Sequence, residues 1–330
     1  MGRLLLFNPG HDYALAHGGP FYIPPASIKK LEERLQNLPL IWAKEGDMIL
    51  NAFDEIINLK CTPLSSLTGI YEEIEEIIPW GWDHAVKHRL KSLGFNERLF
   101  PDNEYLVNMR RLSHRRISIR CNEFLNSSHT PSEFFDISQA MEFAANNKGC
   151  YFKLPWSSGG RGVLSTTGLS EIQIKEWISG AIKKQGSVMA ERLVDRKLDF
   201  ASLWNVNGTD VIFEGFSVSL SDGRGKYKGN IYGSQKEILK YFNKNNFTVP
   251  GDTIGLQKNF LKLHVAQFYR GKVGIDMMVS NSNEIIPCVE INLRRTMGHV
   301  AMDYFNYLKC AGIPSFSTHL PLIDIKELYH

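Results

Sequence analysis

Two apolar runs, Tyr151-Phe152-Lys153-Leu154 and a stretch beginning at Val163, flank the segment Trp156-Ser157-Ser158-Gly159-Gly160-Arg161-Gly162. This layout predicts a strand, a glycine-rich loop and a second strand. It excludes the phosphate loop GxxxxGK[ST] and the dinucleotide fingerprint GxGxxG, both of which lead from a strand into a helix. A hairpin loop of this composition can close over a polyphosphate with its backbone amides and Ser hydroxyls, and it reads equally as an ordinary glycine turn. Lys153 shifts the balance. An ammonium inside an apolar strand needs an anion, and a nucleotide phosphate would supply one.

Two later runs, Gly274-Ile275-Asp276-Met277-Met278-Val279 and Cys288-Val289-Glu290-Ile291-Asn292, are apolar strands interrupted by oxygen-bearing side chains. Residues two apart on a strand share a face, so Glu290 and Asn292 point together and Ile291 points the other way. With a turn at residues 281–283, Asp276 reaches the same face from the neighbouring strand. Three such groups form the hard-ligand set that Mg²⁺ accepts. A solvent-exposed edge is the alternative, but adjacent carboxylates repel unless a cation lies between them. Arg294 and Arg295 follow at once, and guanidinium there can hold a phosphoryl group or a substrate carboxylate.

The rest of the chain reads as alternating strands and helices. Near the N-terminus the order is a strand over Leu4–Phe7, a helix over Ala26–Gln36, a strand over Leu38–Ala43, and helices over Tyr71–Ile78 and Asp83–Ser92. Asn103–Leu125 reads as one long basic helix, and a helix over Asp136–Asn147 leads into the glycine-loop hairpin. After it come a helix near Glu171–Lys184, antiparallel strands at Ser187–Glu191, Leu198–Val206 and Asp210–Leu220, and a Gly- and Lys-rich stretch, 221–230, expected to be mobile. A helix near Gly255–Tyr269, the two carboxylate strands and a helix near Met297–Leu308 complete the pattern. Asn8-Pro9-Gly10-His11-Asp12 ends the first strand, where open α/β sheets bind ligands. His11 and Asp12 there could hold a substrate amine, or serve as turn and helix cap.

The chain has 330 residues, and 38 Lys+Arg against 35 Asp+Glu leave a net charge of +3, too little to imply a polyanion partner. Its five Cys are scattered without a zinc or CxxC spacing, which suggests buried reduced thiols. No window approaches the ~20 apolar residues of a membrane span, and the start lacks the apolar core of a signal peptide. A cytoplasmic protein is expected.

In order and spacing, Lys153 to Val163, Val188-Met189-Ala190-Glu191-Arg192-Leu193-Val194, Ile275-Asp276 and Glu290-Ile291-Asn292-Leu293-Arg294 resemble the ATP-grasp superfamily of carboxylate-amine ligases. The similarity covers roughly Tyr105 to Leu308. It implies an α/β protein in which a Rossmann-like pre-ATP-grasp domain (1–104) precedes a two-lobed ATP-grasp domain (105–330, small lobe about 137–195). It also implies ATP and Mg²⁺, or Mn²⁺, as cofactors. ATP would be bound by Arg115, Lys153, Ser158, Gly159, Gly160, Gly162, Glu191, Val194 and the ribose-facing Asp199. Asp276, Glu290 and Asn292 would hold metal, Arg294 and Lys228 would be catalytic, with Lys226 a second candidate, and His11, Asp12 and Arg295 would contact substrate.

The resemblance has departures. D-alanine ligases carry Arg two positions before the metal Asp, where this chain has Gly274, and Asn292-Leu293-Arg294 differs from the Asn-Pro-Arg of carboxylases. The implied reaction is activation of a small-molecule or peptide carboxylate as an acyl phosphate for attack by an amine, a thiol or another nucleophile, with ADP formed. A silent ATP-binding regulator and a kinase-like phosphotransferase are the alternatives. The basic stretch Arg110, Arg111, His114, Arg115, Arg116 and Arg120 reads as a solvated helix face plus a phosphate contact rather than a nucleic-acid surface, and no membrane partner is implied. No motif identifies the acid, the nucleophile or the oligomeric state.

Overall fold

A computed structural model describes residues 2–59, 73–221, 227–311, 320–324 and 326–327. The first sheet has the order β3-β2-β1-β4. It is built from β1 (Gly2–Leu6), β2 (Met48–Leu50), β3 (Ile56–Ile57) and β4 (Ile74–Pro79). β1 runs parallel to β2 and β4, and β3 is antiparallel to β2. Leu4, Leu5 and Leu6 are buried, each contributing about 2 kcal/mol of apolar burial. Helices α1 (His11–His17), α2 (Ala26–Leu35) and α3 (His84–Ser92) accompany this sheet. α3 begins where the Asp83 carboxylate accepts from Val86 N at 2.8 Å and ends before Gly94, whose φ is +86°.

Two expectations fail here. Leu38–Ile41 is a short 3₁₀ helix, not a strand, because Pro39 has no amide to give a sheet ladder and its ring is buried in the turn. The segment expected to be helical at Tyr71–Ile78 contains β4, while Tyr71 and Glu72 lie outside the described residues. Its Glu-rich run favours helix locally, but Ile74 and Ile77 are buried beside β1, and tertiary pairing decides.

Two helices follow, α4 (Asn103–Leu112) and α5 (Arg116–Phe124), where one long helix was expected. The next sheet has the order β5-β8-β6-β7, all neighbours antiparallel. Its elements are β5 (Ser132–Phe134), α6 (Ile137–Asn146), β6 (Cys150–Lys153), β7 (Val163–Ser165), α7 (Glu171–Gln185) and β8 (Val188–Arg192). Ala140, Ile174 and Ile178 of the helices cover Phe152 and Ala190 of the strands.

The largest sheet has the order β13-β12-β9-β10-β11-β14. It comprises β9 (Arg196–Asn207), β10 (Asp210–Ser221), β11 (Tyr227–Tyr232), β12 (Gly271–Ser280), β13 (Ile285–Asn292) and β14 (Leu322–Asp324). Helices α8 (Gln235–Lys244) and α9 (Gly251–His264) pack Phe242 and Phe260 into the core with Phe200 and Trp204. The Gly- and Lys-rich stretch, expected to be mobile, holds most of β11, and no element was expected where α8 forms; residues 222–226 lie outside the described set. The missed helix had a readable start: Ser234 and Glu237 form a capping box. Helix α10 (Met297–Ala311) joins the lobes, since Val300 and Tyr304 share a core with Phe7, Leu38 and Trp80. Trp80 therefore packs, edge-on to Phe7 at 5.0 Å. Cys121, Cys150 and Cys288 are buried free thiols as expected, Cys310 is exposed, and Cys61 lies outside the described residues. No described helix is long and apolar enough to cross a membrane.

Candidate active site

The antiparallel pairing of β12 with β13 sets Asp276 directly opposite Glu290 and Ile275 opposite Ile291. The two isoleucines go into the core. β12 also pairs with β9, setting Asp276 opposite Ala201 and Met278 opposite Asp199, so the acidic groups occupy one face of three adjacent strands. Asn292 Nδ2 donates to Asp276 Oδ2 at 3.0 Å. Burial, followed by the charge of Glu290, pushes the Asp276 carboxyl up to about 7, with Arg294 and Asn292 opposing. Asp199 is also raised by burial, and Arg196 lies 3.0 Å from its carboxylate.

Arg115 owes its place to the break between α4 and α5. Its amide donates to Pro155 O at 3.1 Å, outside any helix. Its guanidinium reaches Ser157 Oγ at 2.8 Å and Ser157 O at 3.1 Å through one side, and Glu290 Oε2 at 2.9 Å. A third acceptor is Leu154 O. One buried side chain thus ties the root of the glycine loop to the carboxylate pair. Continuous helix through residue 115 would forgo all of these bonds, which is why the expected single helix does not form. Ser157, at the start of the loop, supplies the hydroxyl that makes this bond, while Ser158 does not.

The loop joins β6 to β7, with Leu154 N donating to Gly162 O at 2.8 Å. Gly159, Gly160 and Gly162 all have positive φ, 63°, 72° and 70°, a backbone that glycine adopts without strain. Gly159 and Gly160 are exposed. Lys153 finds its anion within the protein, Glu191 Oε2 at 2.5 Å, so a phosphate is not required to account for its charge. Glu191 and Val194 line a small cleft with Met278, Ile286, Cys288 and His129, between the second sheet and the large one. Lys228 is exposed on β11. Its neighbour Tyr227 donates to Asn230 Oδ1 at 2.6 Å and is pushed up by burial and the Asp276 charge, which places it near the acidic face; the sequence offered no signal for it. Lys226 lies outside the described residues.

Arg294 leaves the end of β13 and meets Asp12 at the start of α1, Nη2 to Oδ2 at 2.9 Å and Nε to Oδ2 at 3.2 Å. Burial opposes the charge on both. The Arg294 guanidinium nonetheless holds the Asp12 carboxyl below its usual value, and the carboxylates of Asp12, Glu290 and Asp276 hold Arg294 above its own. His11 does not join this group: its ring is buried and Nδ1 lies 3.0 Å from Asp83 Oδ2. Arg295 is engaged elsewhere too, paired with Asp303 and stacked 4.3 Å from the Trp42 ring. Gly274 has a local cause: a Cβ there would lie 2.8 Å from Thr296 Cγ2, which leaves no room for the Arg of D-alanine ligases.

No group of three or more His, Cys, Asp or Glu side chains placed to bind a metal occurs among the described residues. The expected metal set has two carboxylates and an amide. Its donor chemistry fits a hard cation nonetheless, because a second carboxylate stands opposite a buried Asp276 that is hard to ionise alone.

No family model and no curated protein sequence matches the chain. Solved structures do. The VanG D-Ala:D-Ser ligase from Enterococcus faecalis aligns over 100% of this chain and 99% of its own at 13% identity, TM-score 0.54. The D-alanine-D-alanine ligase from Coxiella burnetii aligns over 95% and 91% at 10% identity, TM-score 0.54. Biotin carboxylase from Campylobacter jejuni aligns over 96% and 69% at 12% identity, TM-score 0.53. The likeness is one of fold, spanning all three sheets and the helices that cover them: the chain has the lobed α/β fold of ATP-grasp ligases.

Proposed function

We propose that the chain is an ATP- and Mg²⁺-dependent, ADP-forming ligase that activates a carboxylate as an acyl phosphate for attack by an amine or another nucleophile. The observation that carries this reading is the carboxylate pair Asp276 and Glu290, opposed on adjacent strands and flanked by two arginines, Arg115 and Arg294. In this reading residues 1–104 supply acceptor contacts, 105–330 form the nucleotide clamp, and about 137–195 is its small lobe.

Lys153, Glu191 and Val194 hold the adenine end, Asp199 the ribose, and Arg115 with the loop from Ser157 to Gly162 the phosphates. Asp276, Glu290 and Asn292 would hold Mg²⁺, which supplies charge neutralisation to the phosphates. The substrate carboxylate attacks the γ-phosphorus, the bond from that phosphorus to the β–γ bridging oxygen breaks, and ADP leaves. The nucleophile then attacks the acyl carbon, inorganic phosphate leaves, and the attacking amine loses a proton. Arg294 stabilises charge on the transferring group, and Asp12 fixes the guanidinium's orientation. Lys228, exposed on β11, would approach the γ-phosphate. In this reading Asp12 with Arg294 contacts the substrate, and His11, bonded to Asp83, and Arg295, paired with Asp303, would support them.

Hydroxylamine tests the reading without knowledge of the natural nucleophile. With ATP, Mg²⁺ and a panel of carboxylic acids, at least one acid yields hydroxamate in step with ADP. ADP release that ignores every acid and never gives hydroxamate contradicts it.

A further inference from the structure

A second cleft, of about 530 Å³, opens where the end of α1 and the start of α3 face the α4–α5 junction. Six of its nine lining residues are Arg or His and none is acidic. Part of that charge is internally met. Arg116 pairs with Glu133, Nη2 to Oε1 at 2.6 Å, and His114 lies 3.6 Å from the same carboxylate. Arg110 and Arg111 have no carboxylate within 4.0 Å among the described residues.

Arg110 is not a free surface side chain. Its Nε donates to Leu15 O at 2.7 Å, and its guanidinium lies 4.2 Å from the centroid of the Trp156 ring. A Cβ at position 18 would come within 2.9 Å of that Nε, so Gly18 makes room for the approach. Complementing the C-terminus of α4 explains an arginine extended into water. It does not explain one drawn against a carbonyl and an indole while its Nη groups make no hydrogen bond among the described residues. Arg111 donates from Nε and Nη2 to Asn108 Oδ1 at 3.3 and 3.1 Å and lies 5.0 Å from the Phe268 ring, so its charge too is met by no anion among the described residues. Two such guanidinium groups lining one cavity match the planar, paired oxygens of carboxylates and phosphates.

We propose that this cleft binds a small molecule carrying two or more carboxylate or phosphate groups, with Arg110 and Arg111 as its principal contacts. The proposal stands on the cleft alone, whether or not the chain is a ligase. Occupancy reports on the glycine loop, because Trp156 Nε1 donates to Arg110 O at 2.9 Å and the next residue, Ser157, is bonded to Arg115.

Titrating the full chain with citrate, with fructose 1,6-bisphosphate and with sodium chloride of matched ionic strength, by calorimetry and tryptophan fluorescence, tests this. At least one polyanion binds with 1:1 stoichiometry and changes the fluorescence, and the stronger of the two identifies the anionic group. Trp156→Phe removes the signal and keeps the heat. Arg111→Gln weakens binding at least tenfold while the melting temperature and Mg-ATP affinity stay as in the wild type, and Arg110→Gln weakens it further. Polyanions that bind no better than chloride overturn the proposal, as does affinity unchanged in Arg111→Gln. A single-stranded oligonucleotide that displaces both small anions with a steep salt dependence also overturns it, in favour of a polymer surface.

Discussion

Arg115 and Glu290, 175 positions apart, meet through Nη2 and Oε2 at 2.9 Å, and the same guanidinium bonds Ser157 at the root of the glycine loop. The loop and the carboxylate pair are therefore one assembly before any ligand arrives. Arg115→Gln separates them. Losing a charged hydrogen bond and leaving buried acceptors without their donor costs roughly 2 kcal/mol. Urea unfolding gives that loss, and nucleotide affinity falls with it. A variant as stable as the wild type, with unchanged nucleotide affinity, contradicts the role given to Arg115.

Asp12 and Arg294 form the polar link between the first sheet's helix and the end of β13. Both side chains are mostly buried, so either single substitution strands the other charge. A double-mutant cycle of Asp12→Asn and Arg294→Gln has a coupling energy of about 2 kcal/mol. Coupling near zero in unfolding experiments would mean the pair is solvent-screened and holds nothing in place.

The loop glycines differ in a way that stability measurements resolve. At Gly159 and Gly160 a Cβ meets nothing within 4 Å, so only the positive φ opposes alanine, at about 1 kcal/mol. At Gly162 a Cβ would also lie 2.7 Å from Leu154 Cδ1 and 3.0 Å from Ser157 Cβ. Gly162→Ala is the most destabilising of the three, and it disturbs the Ser157–Arg115 bond. Equal melting temperatures for all three variants would contradict that.

Burial, with Arg116, Arg110 and Arg115 acting in the same sense, lowers the His114 pKa from 6.5 to about 4; Glu133 opposes. The native imidazole stays neutral while the unfolded one takes up a proton below about 6.5. Stability is therefore lost as pH falls from about 6.5 towards 4 and levels off below the native value. Glu133, held low despite burial by Arg116 and Ser187, loses its contribution only below about 4.5. Asp276, raised to about 7, gains stability as pH falls from 7 to 5, and His299, lowered by burial, loses it, so unfolding at the two pH values reads His114 by difference. Across that interval the wild type loses more stability, or gains less, than His114→Gln. Parallel changes in the two proteins exclude His114 as the cause.

The β12–β13 hairpin was legible because its apolar alternation and its carboxylates obey one register. The glycine loop was legible because three glycines between two apolar runs leave few alternatives. Position 115 was not. Arg-rich sequence from 103 to 125 supports helix throughout, and only contacts with Leu154, Ser157 and Glu290 justify the break. At Lys153 the sequence showed a charge in need of an anion but not that Glu191, across the sheet on β8, supplies one. β4 and the turn at Leu38 depended on sheet pairing and on a buried Pro ring, which a window of local sequence does not contain. The partners of His11 and Arg295, Asp83 and Asp303, were likewise visible only as ordinary acidic residues on helices.

In the proposed reading Asp276, Glu290 and Asn292 would hold the metal of a bound Mg-nucleotide. Equilibrium binding of ATP with and without Mg²⁺, to the wild type and to Glu290→Gln, tests it most directly. Wild type binds at least tenfold more tightly with Mg²⁺, and the substitution erases that difference while the fold, read by circular dichroism and thermal melting, is retained. ATP affinity indifferent to Mg²⁺ in the wild type, or a Mg²⁺ effect that survives in Glu290→Gln, contradicts it.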